Sequence, residues 1–160
     1  MRFKRKIARE IRILKQGSRY IETHGYIQHG NTSVYAHSVK VAALSCLIAY
    51  KLGLKVDYIT MIRGALLHDY FLYDWHDRRA HEGWHGFRHP RKAWLNAKEE
   101  FALNRIEEDI ILKHMFPLVP FVPRYKESWI VCIADKISAL IETFSDIKTF
   151  FGKKLVMEVK

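Results

Sequence analysis

Cysteine is almost missing from this 160-residue chain, with Cys46 and Cys132 its only two. Both sit in apolar stretches far apart in sequence, which excludes a disulfide framework or a zinc knuckle and predicts buried thiols in a reducing compartment. Proline is also scarce, and three of the four prolines fall in "FPLVPFVPR", residues 116–124, an extended connection. No apolar run reaches the roughly 18–20 residues needed to span a membrane. The basic start, "MRFKRKIAREIRILKQGSR", is followed by no signal-peptide core and no small-residue cleavage site, so a cytoplasmic protein without membrane partners is expected. Acidic residues are outnumbered, 17 against 27 Lys and Arg, for a formal charge of +10. That excess favours anionic partners, whether phosphorylated metabolites, nucleotides, nucleic acid or an anionic membrane surface, without choosing among them.

What is present is apolar and helical. Hydrophobic residues make up 49% of the chain and aromatics 13%, a globular composition, and the length suits one domain over 1–160. Residues 3–15 place Phe3, Ile7, Ile11 and Leu14 at helical spacing, giving a basic N-terminal helix within 1–20, either docked or free as a nucleic-acid arm. "HGYIQHGNTS" reads as turns ending in the N-cap candidates Asn31, Thr32 and Ser33. Helices are expected from there to a stop at Gly53, over about 57–73, from Pro90 to about 103, over about 105–115, and over about 127–150. Residues 74–92 read as a loop rich in histidine and arginine. No strand pair or repeat is expected; the fold class is all-α, a bundle of about five to seven helices.

The segment "RGALLHDYFLYDWH", residues 63–76, sets His68 and Asp69 side by side at the end of an apolar run. Burying such groups unpaired costs several kcal/mol, so a side chain, a water or a metal ion must satisfy them. His37, His114 and Asp135 also occupy apolar helix faces, judged by neighbours three and four residues away. A single buried histidine is more often just hydrogen-bonded to a carbonyl, but five such groups on four helices form a set. Imidazole nitrogen with carboxylate oxygen suits divalent Mn, Fe, Co, Ni or Zn. Neighbours on a helix point about 100° apart, so His68 and Asp69 can flank an ion, and a carboxylate can bridge two.

His37 in "YAHSVKVA", the doublet in "GALLHD" and Asp135 in "CIADKISALIE" resemble the H…HD…D signature of the HD-domain superfamily of metal-dependent phosphohydrolases, over about residues 30–145. "HPRKAWLNA" and "IILKHMFPL" resemble the extra histidines of its two-metal subfamilies. The resemblance implies one ion held by His37, His68, Asp69 and Asp135. It implies a second, bridged by Asp69 and held by His89 and His114, with His85 the rival of His89. It also implies hydrolysis of a small phosphorylated, nucleotide-type substrate through metal-activated water, with Asp69 and His85 as catalytic candidates. His81 and Asp74 are further candidates for moving a proton. Many relatives follow HD with a phosphate-contacting lysine; here "YFLYDWH" follows, so Arg78, Arg79, Arg88, Arg91, Lys92 and Lys136 are the available phosphate contacts. Tyr70, Trp75, Trp84 and Phe87 are available to stack on a base or pack in the core. Two other classes stand beside this reading, a di-iron oxygenase of the same superfamily and a non-catalytic, basic nucleic-acid-binding protein.

Overall fold

A computed structural model describes residues 2–29, 31–75, 77 and 85–158, with the side chains of 2, 29, 85 and 145–158 outside the description. Six α-helices follow in order: α1 (Arg2–Leu14), α2 (Val34–Lys51), α3 (Tyr58–Leu67), α4 (His85–Glu100), α5 (Arg105–Lys113) and α6 (Lys126–Glu158). A 3-10 helix, Arg19–His24, lies between α1 and α2. The fold is all-α, as the periodicity implied.

Local chemistry sets the helix ends. Ser33 caps α2 by accepting from the Ala36 N–H at 3.2 Å. Gly53, at φ +63°, ends α2 as its N–H reaches Tyr50 O and that of Leu54 reaches Ala49 O, the paired bonds of a left-handed C-terminal cap. Asp57 accepts from the Ile59 and Thr60 N–H groups at the start of α3. Asn104 and Glu107 form a reciprocal capping box on α5.

Two helix boundaries near the site and one turn segment differ from expectation. Helix α3 stops at Leu67 rather than running to residue 73. The Phe71 N–H turns back to Asp69 O, Leu72 takes φ +54°, and the Tyr70 and Phe71 carbonyls accept from the Asn96 amide of α4 at 2.9 Å each. Helix α4 begins at His85, so Pro90 lies inside it and His89 is helical rather than part of the loop. The stretch read as turns contains a short antiparallel pair, β1 (Ile27–His29) with β2 (Thr32–Ser33), too brief to register as alternation.

Helix α1 is a docked helix: Ile7 and Leu14 are buried, and Phe3 stacks on Tyr58 with centroids 5.2 Å apart. Helix α2 packs on α3 and α6, and α5 packs on α3, α4 and α6. Gly64 sets the α3–α5 approach, since a β-carbon there would meet Ile110 Cδ1 at 2.5 Å. No helix is long and apolar enough to cross a membrane among the described residues.

Candidate metal centre

Each of the four helices that enclose the core delivers one polar side chain or pair to a common point. His37 comes from the first turn of α2, His68 from the C-cap of α3, and Asp69 from the turn just after it. His114 is the C-cap of α5 and Asp135 lies on the inner face of α6. His68, at φ −59° and ψ −31°, keeps helical backbone, so Asp69 projects about a hundred degrees from it and the two side chains flank the centre. His89 joins them from α4. All six are buried, His37 and His68 completely.

Asp69 lies at the centre. Its Oδ2 is 3.1 Å from His68 Nε2 and 3.7 Å from His37 Nε2, while its Oδ1 is 3.2 Å from His89 Nε2 and 3.5 Å from His114 Nε2. Asp135 Oδ1 is 3.0 Å from His37 Nε2 and 3.6 Å from His68 Nε2. The Nε2 atoms of His89 and His114 are 2.8 Å apart. Two groups of potential ligands, His37 with His68 and Asp135, and His68 with Asp69 and His114, each keep their donor atoms within 4.8 Å of one another.

Ring orientation follows from backbone acceptors. His68 Nδ1–H donates to Ala65 O at 2.7 Å and His114 Nδ1–H to Ile111 O at 2.9 Å. A carbonyl only accepts, so each Nδ1 carries a proton and each ring aims its Nε2 at the centre. His68 Nε2 and Asp69 Oδ1 are buried without a hydrogen-bond partner. Lone pairs converging on carboxylate oxygens in a dry core repel unless a proton or a cation lies among them. The set of imidazole nitrogens and carboxylate oxygens, with these two atoms unsatisfied, fits divalent first-row ions.

Protons take that role in the metal-free protein. Burial pushes the His37 pKa down, but hydrogen bonds to Asp135 and Glu142 outweigh it and bring the ring up to about 9. His68, against burial, is raised well above its ordinary value by Asp69 and Asp135. Burial opposes ionisation of both aspartates, yet the surrounding histidines hold Asp69 and Asp135 well below the usual carboxylate range. For His114 burial wins and lowers the ring to about 4.

Four contributors escaped the sequence reading. Glu142 Oε2 accepts from His37 Nδ1 at 3.0 Å, and Lys40 Nζ donates to Glu142 Oε1 at 3.0 Å. Glu142 lies seven residues, two helical turns, beyond Asp135, and that spacing was a usable signal. Gln28, on β1, donates its amide to Asp69 Oδ2 at 2.5 Å. Asn96 fixes the turn that carries Asp69. Neither Gln28 nor Asn96 has a periodic signature, because each serves a partner distant in sequence.

The remaining expected residues divide. Lys136 donates to His114 O at 2.6 Å, which ties α6 to the end of α5. Arg88, Arg91 and Lys92 are exposed on α4. Arg78, Arg79, His81 and Trp84 lie outside the described residues, as does the side chain of His85. Tyr70 belongs to the core, with its hydroxyl donating to Glu100 at 2.8 Å. Trp75 lines a cavity of about 160 Å³ over the centre, together with Gln28, Gly86, His89 and Met115.

A family model described as the HD domain matches residues 34–140, a span that holds all six converging side chains. No curated protein and no solved structure matches the chain. Its helical fold, its central His–Asp doublet and the extent of that match agree: the chain belongs to the HD domain family, whose fold is all-α and whose members bind divalent metals.

Proposed function

We propose that this chain is a metal-dependent phosphohydrolase acting on a small phosphorylated, nucleotide-type substrate. The observation that carries the reading is Asp69, whose two oxygens face separate histidine groups, His37 and His68 on one side and His89 and His114 on the other. In this reading His37, His68, Asp69 and Asp135 hold one divalent ion, and Asp69, His89 and His114 a second. Such ions, when bound, supply a nucleophile from water near neutral pH and offset charge on phosphoryl oxygens.

The chain's own residues do the positioning. Glu142 fixes the His37 ring, and the Ala65 and Ile111 carbonyls fix His68 and His114. Gln28 orients Asp69 and lines the cavity. At about 160 Å³ that cavity suits a phosphoryl group rather than a whole nucleotide, since small-molecule pockets run to about 300–1,000 Å³. The rest of the substrate then extends past Trp75 and Gly86, with Arg78, Arg79, Arg88, Arg91 and Lys92 proposed as its phosphate contacts and His85 as its proton carrier. Two free, buried thiols suit a reducing, cytoplasmic setting.

Elemental analysis of untagged protein purified without chelator, wild type against Asp69→Ala, tests the assignment. The expected result is two ions per wild-type chain, lost in the variant, with phosphate released from esters or nucleotides by the wild type alone. His114→Ala should lower the stoichiometry from two towards one. No bound metal after reconstitution overturns the reading. Iron with dioxygen consumption and no phosphate release transfers it to the oxygenase class.

A further inference from the structure

The side-chain amide of Gln28 is half satisfied. Its Nε2 donates to Asp69 Oδ2 at 2.5 Å, and the residue is only 5% exposed. The reverse orientation is excluded, since Oε1 against a carboxylate would set two acceptors face to face. Oε1 is the other arm of the same planar group, and it is buried without a hydrogen-bond partner. A buried carbonyl in that state is destabilising and calls for a donor.

Gln28 lines the cavity of about 160 Å³ over the centre. None of the described residues around that cavity is Lys or Arg. The Trp75 Nε1–H is given to Ile27 O and the His114 Nδ1–H to Ile111 O, while carboxylates at Asp69 and Asp135 only accept. The donor must therefore come with the ligand. Phosphoryl groups differ in whether they bring one. A terminal phosphate, the end of a monoester, has a second pKa of about 6 and keeps an O–H in part of its population near neutral pH. The phosphate inside a diester has no second proton and presents acceptors only.

We propose that Gln28 is a specificity-determining residue, its Oε1 accepting the hydrogen of a protonated terminal phosphoryl oxygen, so that the site selects phosphate monoesters over diesters. This rests on the phosphohydrolase reading and adds to it which phosphate esters are taken. Unprotonated oxygens suit the cations assigned to the centre, whereas one placed against Oε1 leaves two acceptors facing, a repulsive element that works against the wrong substrate.

Inorganic phosphate and sulfate separate the two cases. In mildly alkaline buffer phosphate is mainly the hydrogen phosphate dianion, equal to sulfate in charge and similar in shape but with an O–H. Calorimetric titration of the manganese-loaded chain gives the preference for phosphate over sulfate in wild type, Gln28→Met and Gln28→Glu. Both variants alter the contact with Asp69, but Gln28→Glu keeps an acceptor beside the cavity and Gln28→Met has none. The preference should fall about tenfold in Gln28→Met and persist in Gln28→Glu. In turnover the wild type should favour a phosphate monoester over the matching bis-ester. Equal preferences in all three proteins overturn the proposal, as does an equal fall in both variants, which makes Gln28 a support for Asp69 alone. Metal content lost in Gln28→Met and kept in Gln28→Glu also overturns it, by making Oε1 a metal ligand. Faster turnover of the bis-ester by the wild type does so however the variants fold. Those results leave the phosphohydrolase reading standing; a wild type that holds no metal, or that binds neither anion, removes both.

Discussion

At Asp69 each carboxylate oxygen faces different partners, and three of the histidines around it are held by further acceptors, His37 by Glu142, His68 by the Ala65 carbonyl and His114 by that of Ile111. Glu142 illustrates the second point: its carboxylate anchors His37 Nδ1 while Lys40 offsets its charge. Partners that orient a ligating imidazole commonly contribute 10–100-fold in metal affinity. Glu142→Gln should therefore weaken binding by about that factor without altering stoichiometry, as read by competition with a chelating indicator. Protonation gives a second test at this scale. With His37 raised to about 9 and His68 raised well above its ordinary value, both rings carry protons at pH 7 in the metal-free protein. Metal uptake must displace them, so calorimetry in buffers of different ionisation enthalpy should show proton release, and affinity should weaken as pH falls. In the metal-free protein the contribution of His37 to stability is complete below its unfolded pKa of about 6.5 and is lost as pH rises through the folded value.

Among the elements, α3 and α5 do the closest positioning. Each ends in a histidine that is its own C-cap, and Gly64 lets the two helices approach until Ile110 fills the space of a side chain. Gly64→Ala should push them apart at a cost of about 1–3 kcal/mol, the range for overpacking a core, despite alanine's better helix propensity. A lowered denaturant midpoint with weakened metal binding would be the signature; an unchanged midpoint would mean the helices yield freely. Most elements were legible in the sequence, because caps such as Ser33, Asp57 and Asn104 and stops such as Gly53 act within a few residues. The end of α3 was not. Its apolar run continues to Tyr73, and only the Asn96 amide of α4, reaching two carbonyls, favours the turn over another helical turn. The start of α4 was hidden by Pro90, whose buried ring the helix tolerates one turn inside.

For the molecule as a whole, the centre joins α2, α3, α4, α5 and α6, so an ion bound there links five helices at one point. Binding to the folded state alone stabilises by RT ln(1 + [L]/Kd), about 2.7 kcal/mol at a hundredfold excess over Kd. Adding a bound metal should raise the melting temperature of the stripped protein, and Asp69→Ala should abolish the rise; an equal rise in the variant would place the ion elsewhere. The basic surface is a property of the same scale. The N-terminal helix that contributes to it is docked through Phe3, Ile7 and Leu14 rather than extended as an arm.

The sequence by itself determined the helical class, most helix ends and the residue types suited to a metal, because periodicity, capping and ligand chemistry are local or carried by a few ordered motifs. Only the tertiary structure decided which side chains share one point. His89 reaches Asp69 because α4 starts early enough to make it helical, and Glu142 and Gln28 reach the centre across long separations in the chain. The aim of a buried side chain depends on how helices stack and where they stop, and those are settled by contacts between residues that no local pattern connects.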